Sequence, residues 1–249
     1  MLDNCRALIT GSSAGIGRGV ALAFAAAGAD VVINHPTAAE ATQAAAVADE
    51  VRALGRQALV VQADVSDEAE AGALVAAATA AFGRVDILVN NAGIAVAGQV
   101  HELPVAVWDR VMAVHVRGTF LMTRAVLPQM YARGHGRIIN TTSQLAYKGA
   151  PGFAAYTAAK GAILSFTRST ALEIGARDIT INCVAPGATR TAMLDGVPPD
   201  VLEAIRQAIP LGRLAEVDDI APSYVFLASA GARHYQGQCL SPNGGDVFL

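Results

Sequence analysis

In the stretch SQLAYKGAPGFAAYTAAK, residues 143–160, a serine, a tyrosine and a lysine stand inside a small-residue, apolar segment. Tyr156 and Lys160 are four residues apart, so a helix puts both on one face. A free phenol, with a pKa of about 10, is a poor base at neutral pH. An ammonium about 4 Å away, at an effective dielectric of about 20, favours tyrosinate by roughly 4 kcal/mol, or about three pK units. That coupling is expected to poise Tyr156 near working pH as a general acid/base. Ser143 lies thirteen residues before Tyr156, after a strand-like run, where it can hydrogen-bond the same substrate oxygen and steady its charge. Taken alone, a YxxxK pair also reads as an exposed tyrosine beside its helix neighbour.

A second motif supplies the partner for this chemistry. TGSSAGIG, residues 10–17, places Gly11, Gly15 and Gly17 in the spacing GxxxGxG rather than GxGxxG. Between a first strand and a first helix, such glycines allow a tight turn and let backbone N–H groups approach a pyrophosphate, whose charge the helix N-terminus favours. Ser13 and Ile16, inside the loop, join them as candidate cofactor contacts. A P-loop phosphotransferase is excluded, because no GK[ST] follows the glycines. With a nicotinamide bound, the reaction is hydride transfer to or from carbon, which needs the proton donor or acceptor described above.

About 20 residues past the glycines, an NAD site usually carries an acid that bonds the ribose hydroxyls. Here VVINHPT supplies Asn34, His35, Pro36 and Thr37, with neither a carboxylate to repel a 2′-phosphate nor an arginine or lysine to attract one. The expectation is NAD(P) with a lean to NADP, in which His35, Ser13 and Thr37 bond the phosphate. The alternative is that His35 only caps the strand end.

The elements that must position these groups follow from the apolar rhythm. RALIT, DVVIN, ALVVQ, DILVN, GRIINTTS and TINCVAPG read as strands. They alternate with helical stretches after the glycines, at 37–54, at 66–82, around 105–130 and at about 154–175. Apolar, β-branched runs alternating with helices of more than ten residues imply right-handed βαβ units and a parallel sheet covered on both faces. No Pro/Gly/Ser-rich linker, low-complexity tract or longer repeat interrupts this rhythm, so 1–249 reads as one α/β domain.

Composition agrees and excludes other classes. Hydrophobic residues make up 53% and charged residues 16%, enough for a two-sided core. The net charge of -3, without a basic block, argues against nucleic acid and anionic membrane as partners. No apolar run reaches the roughly 18 residues of a membrane helix. Cys5, Cys183 and Cys239 lack the spacing of a zinc site or CxxC pair, and read as buried thiols in a reducing compartment. The beginning, MLDNCRALIT, lacks a basic n-region and apolar h-region, and the expected location is the cytoplasm. No metal is expected.

These motifs resemble those of the short-chain dehydrogenase/reductase family, and the likeness runs from the first strand to the last residues. It rests on TGSSAGIG, on ADVSD with Asp64, on NNAG at 90–93, on Ser143 with YTAAK, and on NCVAPGATRT at 182–191. PLGRLAEVDDIAPSYVFLAS and GQCLSPNGG also look like the family's last helix and strand. The resemblance implies a doubly wound, Rossmann-like sheet of about seven strands and a homotetramer. Tyr156 is then the general acid/base, Ser143 its partner on the substrate oxygen, and Lys160 a group that tunes Tyr156 and holds the nicotinamide ribose. Asp64 and Val65 would meet the adenine; Asn90, Asn91, Ala92 and Gly93 would support the cofactor from the fourth strand. Pro186, Gly187, Thr189 and Thr191 would line the nicotinamide carboxamide.

Two positions depart from the family pattern. Where the family has an asparagine that helps hold a proton-relay water, RVMAVHVRGTF has His115, a residue expected to titrate near neutrality and to alter the pH profile. A packed histidine without a catalytic part, or a nucleotide-binding protein without turnover, are the alternatives. In SPNGG, Asn243 stands where many relatives carry an aspartate before the glycine pair. Specificity is expected from Gln144, Tyr147 and Lys148, and from a substrate-loop segment at about 188–212 with Met193, Leu194 and Val197. Their mixed polarity admits a sugar, a cyclic alcohol or a β-ketoacyl thioester, with the branch of glucose and rhamnose 1-dehydrogenases and 3-oxoacyl carrier-protein reductases as the nearest in look.

Overall fold

Among the described residues, 1–248 of the computed structural model, seven strands form one parallel sheet in the order β3-β2-β1-β4-β5-β6-β7. They are β1 (Arg6–Ile9), β2 (Asp30–His35), β3 (Ala58–Gln62), β4 (Ile87–Asn90), β5 (His135–Thr141), β6 (Asp178–Val184) and β7 (Cys239–Leu240). The helices between them are α1 (Gly15–Ala26), α2 (Ala41–Ala53), α3 (Glu68–Phe82), α4 (Val105–Met112), α5 (Gly118–Arg133), α6 (Leu145–Lys148), α7 (Ala154–Ile174), α8 (Pro199–Ala208) and α9 (Val217–Ala228). The doubly wound α/β architecture read from the sequence is the one observed.

Strand β1 explains why both faces are covered. Ala7 and Ile9 pack into one core with Val20 and Phe24 of α1 and Tyr224 of α9. Leu8, pointing the other way, joins Leu74 of α3 and Met122 and Met130 of α5. Side chains alternate across a strand, so an uninterrupted apolar run must bury both faces. Each buried Leu, Ile or Phe contributes about 1.5–3 kcal/mol relative to exposure.

The chain winds outward from β1 in both directions, to β2 on one side and β4 on the other. At that reversal the connections leave on opposite faces, and a crevice opens beyond the carboxyl ends of the strands. The loops after β1, β4, β5 and β6 all lead into it.

Local structure refines three expectations. The helix expected around 105–130 is α4 and α5 joined by a π-helical stretch, Ala113–Arg117, whose widened turn carries the buried His115. The segment at 188–212 holds a 3₁₀ turn, Ala192–Leu194, and helix α8, which opens with Pro199 in its first turn. The three thiols are free, but only Cys183 is buried. Although 56 residues separate them in sequence, Cys183 and Cys239 are directly paired across β6 and β7. No helix of the described residues is long and apolar enough to cross a membrane, and they contain no cluster of His, Cys, Asp and Glu suited to a metal ion.

Candidate active site

Helix α7 begins at Ala154, so Tyr156 and Lys160 occupy its first turns and both face the cleft. The Lys160 side chain is buried, and its Nζ donates to the Thr141 carbonyl at 2.7 Å while lying 5.5 Å from the Tyr156 ring centroid. Thr142 donates its hydroxyl to the Lys160 carbonyl at 2.8 Å, which fastens α7 to the end of β5. Ser143 follows β5 directly. Its Oγ accepts from the Leu145 N–H at 3.1 Å, and its hydroxyl is hydrogen-bonded to the Tyr156 phenol.

The charge coupling differs from the sequence expectation. Burial pushes the Tyr156 phenol up, opposed only by the Ser143 bond, and burial pushes Lys160 down to about 7. A shared apolar site disfavours both charged forms, and the Nζ is directed at a backbone carbonyl rather than at the phenol oxygen. Lys160, not Tyr156, is therefore the group poised near neutral pH.

His115 also departs from expectation. Its Nε2 lies 2.7 Å from the Ile94 carbonyl oxygen and 3.0 Å from the Ile94 nitrogen. One nitrogen cannot donate to the first and accept from the second; the shorter contact assigns the proton to Nε2. Nδ1 is then a buried acceptor with no protein partner among the described residues. Desolvation, followed by the nearby Lys160 charge, lowers its pKa to about 3, against the opposing Ile94 bond. His115 is a neutral imidazole across the working range and does not titrate near neutrality.

The glycine turn is built as a cradle. Gly11 has φ +60°, and a Cβ there would meet the Ala92 Cα at 2.9 Å. Gly17 lies beneath the loop, where a Cβ would stand 2.3 Å from the Gly11 carbonyl oxygen, and it does not reach the cleft surface. Asn91 holds the turn from below, donating through Nδ2 to the carbonyls of Thr10 and Gly11 at 3.0 and 3.1 Å. Asn34 braces its other side: Oδ1 accepts from the Gly11 N–H at 3.1 Å, while Nδ2 donates to the Ala63 carbonyl at 3.0 Å. Asn90 is a structural residue outside the cleft, donating to Asn140 Oδ1 at 2.8 Å and Thr123 Oγ1 at 3.1 Å.

His35 is turned away from the crevice. It is buried, its Nδ1 is 2.8 Å from the Thr37 carbonyl oxygen, and it forms no part of the cleft wall. Thr37 is likewise outside that wall. A carboxylate occupies the region instead: Glu40, from the 3₁₀ turn Ala38–Glu40, accepts from the Ser13 hydroxyl at 2.7 Å and lines the cleft. The acid absent from the strand end thus arrives five residues later, a placement that spacing alone does not reveal. Asp67 caps α3, and Asp64 lies on the cleft wall. Its Oδ1 accepts from the N–H and hydroxyl of Ser66 at 2.9 and 2.7 Å, and its Oδ2 pairs with Arg110 of α4 at 2.8 Å. Those bonds lower the Asp64 pKa against the opposing cost of burial.

The remaining expected residues come together as well. Ser13, Gly15, Ile16, Val65, Ala92 and Gly93 line one part of the cleft; Pro186, Gly187, Thr189 and Thr191 line another. Of the residues expected at the substrate, Gln144, Lys148, Met193, Leu194 and Val197 line the cleft, but Tyr147 does not. Asn243 serves the turn expected of it, accepting from the Gly245 N–H at 2.8 Å. Among the wall residues that sequence reasoning did not single out are Glu40, Arg110, Phe153 and Asp246.

A nicotinamide dinucleotide fits these residues. The first turn of α1 has no side-chain cap, so its N–H groups are available to a pyrophosphate, and the cleft volume of about 790 Å³ suits a large ligand. When bound, such a cofactor supplies or accepts hydride. The glycine loop, Asp64 and the wall from Pro186 to Thr191 would hold it, leaving Ser143 and Tyr156 at the substrate oxygen.

Residues 11–246 match the family model described as enoyl-(acyl carrier protein) reductase. The chain is 42% identical to the (2S)-[(R)-hydroxy(phenyl)methyl]succinyl-CoA dehydrogenase subunit BbsD of Thauera aromatica, over 98% of this chain and 97% of that one. It is 38% identical to a 3-oxoacyl-[acyl-carrier-protein] reductase of Staphylococcus aureus, over 96% of each. Its fold superposes on the crystal structure of levodione reductase with a TM-score of 0.93, at 34% identity and 98% coverage of both chains. With the sheet order, the glycine cradle and the Ser143, Tyr156 and Lys160 cluster in place, the chain belongs to the short-chain dehydrogenase/reductase family, the NAD(P)-dependent oxidoreductases that act on CH–OH or C=O groups.

Proposed function

We propose that the protein is an NAD-linked alcohol dehydrogenase or carbonyl reductase of small molecules, with Tyr156 as its general acid/base. The observation that carries this reading is the convergence of Ser143, Tyr156 and Lys160 on the cleft that the Gly11–Ile16 turn also lines. In the oxidative direction, Ser143 and Tyr156 hold the substrate hydroxyl, and Tyr156 takes its proton after first giving up its own to solvent. In reduction Tyr156 returns it, which suits a phenol held protonated by burial. Lys160, with a pKa near 7, is fixed by its bond to the Thr141 carbonyl with Nζ 5.5 Å from the Tyr156 ring, where its charged form favours an ionised phenol.

The choice of NAD over the NADP expected from sequence rests on Glu40. A 2′-phosphate beside its carboxylate is repelled, whereas ribose hydroxyls can donate to it. A nucleotide-binding protein without turnover would need the change at 115 to disable the site. A neutral imidazole bonded to Ile94 leaves Ser143, Tyr156 and Lys160 free to act, so that reading is not preferred.

The test titrates NAD and NADP against the protein and then follows nicotinamide absorbance across a panel of alcohols and ketones. Turnover with NAD at least tenfold more efficient than with NADP is expected; binding of either cofactor without substrate-dependent absorbance change would defeat the enzymatic reading. We also expect a cytoplasmic homotetramer. Leu172 of α7 and Phe120 of α5 stand 84% and 45% exposed, as apolar residues do on a surface that a second copy covers. Light scattering at four times the chain mass is the expected result.

A further inference from the structure

The substrate end of the cleft is walled mainly by apolar side chains, among them Leu145, Phe153, Met193, Leu194 and Ile205. One polar cluster interrupts that wall. Asp246, which follows the Gly244–Gly245 turn, has a side chain only 5% exposed, and its Oδ2 accepts from Lys148 Nζ at 2.5 Å and Gln144 Nε2 at 2.7 Å. A carboxylate cannot donate, so the amide nitrogen of Gln144 must face Asp246 and its Oε1 must face away. That Oε1 is buried and has no protein partner among the described residues, although Gln144 is 95% buried.

The three side chains together carry no net charge, since Lys148 and Asp246 cancel. They combine an unpaired acceptor, Gln144 Oε1, with an ammonium that is held through the same Asp246 oxygen as the Gln144 amide and has protons to spare. A neutral hydroxyl satisfies both, donating to the amide oxygen and accepting from the ammonium. A carboxylate has no proton for Oε1 and is repelled by Asp246. An alkyl group leaves the buried acceptor unpaired, the situation in which a site built for an OH rejects the analogue lacking it.

We propose that Gln144, Lys148 and Asp246 form a hydroxyl-recognition subsite, and that the substrate is a neutral, compact alcohol or ketone carrying a second hydroxyl close to the reacting carbon. Gln144 is the chain neighbour of Ser143, which places the second hydroxyl near the first. The proposal rests on the hydride-transfer reading given above and narrows its substrate class.

The test compares three ring substrates with NAD: cyclohexane-1,2-diol, cyclohexanol and 2-hydroxycyclohexanecarboxylate. The wild-type protein is expected to prefer the diol to cyclohexanol by at least about tenfold in kcat/KM. Gln144→Leu brings that ratio close to one, and Asp246→Asn, which leaves Lys148 uncompensated, raises the carboxylate-to-cyclohexanol ratio at least about tenfold. Ratios within one variant cancel any general loss of activity. Calorimetric binding of the diol and cyclohexanol to the NADH-loaded protein supplies a second readout, with the same tenfold preference expected in the wild type and its loss in Gln144→Leu; Gln144→Met serves if Leu does not fold. Equal use of diol and cyclohexanol by the wild type, or a ratio that survives in the Gln144 variants, overturns the proposal. Turnover of other panel alcohols or of a 3-oxoacyl thioester without use of the ring set overturns the subsite alone. Cofactor binding without turnover of anything overturns the hydride-transfer reading and the subsite with it.

Discussion

The imidazole of His115 meets the ring of Tyr156 edge-on, with 5.4 Å between centroids and 87° between planes. This is the range and orientation in which aromatic rings attract one another. With Nε2 fixed by Ile94, the ring forms a rigid side wall for the phenol rather than a titrating partner. The Cε1 proton signal of His115 is therefore expected to stay constant from pH 5 to 8 in NMR. His115→Asn should keep any inflection of the rate profile near pH 7, while His115→Ala, which removes the wall, lowers kcat by up to about tenfold through looser placement of Tyr156. A His115 resonance that titrates near pH 6.5 would refute this role.

Lys160 makes the opposite prediction. Its pKa in the folded protein, about 7, lies below the usual lysine value of 10.5 because burial penalises the ammonium. The unfolded chain binds more protons than the folded one between these two values, so stability rises with pH through that window; below about pH 7 the penalty is present in full. Lys160→Met should be more stable than the wild type at pH 6, with the difference shrinking as pH approaches 10. Urea midpoints measured at pH 6, 8 and 10 check the slope.

Tyr156→Phe deletes the proposed proton donor and the partner of the Ser143 hydroxyl while keeping the ring against His115. Loss of about 10²–10⁴ in kcat is expected, with cofactor affinity changed by less than about threefold. Stopped-flow turnover and a fluorescence titration of NADH measure the two quantities separately.

Glu40→Gln tests cofactor choice. Neutralising the carboxylate removes the repulsion of a 2′-phosphate but keeps a hydrogen-bonding group beside Ser13. The ratio of kcat/KM for NADP to that for NAD should rise about tenfold. An unchanged ratio would show that the acid does not face the ribose.

Gly11→Ala probes the cradle itself. The substitution forces a Cβ into a backbone with φ +60° and against the Ala92 Cα at 2.9 Å, so the loop must shift. Cofactor Kd is expected to rise at least tenfold and the melting temperature to fall by several degrees, since strain of about 1–3 kcal/mol is spread over the turn.

The sheet, its two-sided core and the order of strand and helix were legible because each depends on a local pattern. β-branched runs such as DVVIN and DILVN must be buried on both faces, and the YxxxK spacing on a helix leaves no choice of face. The glycine turn was legible for the same reason, since conformational freedom there is a property of the residues themselves.

What the chain alone determined, then, is the doubly wound sheet, the cradle after β1 and the pairing of Tyr156 with Lys160. Tertiary structure decided the electrostatics and the partners. Burial moved the near-neutral titration from Tyr156 and His115 to Lys160. Folding turned His35 away and brought Glu40 to Ser13 and Asp246 to Gln144, residue pairs 27 and 102 positions apart. Desolvation and long-range contact depend on what surrounds a group in space, and neighbours in sequence carry no record of either.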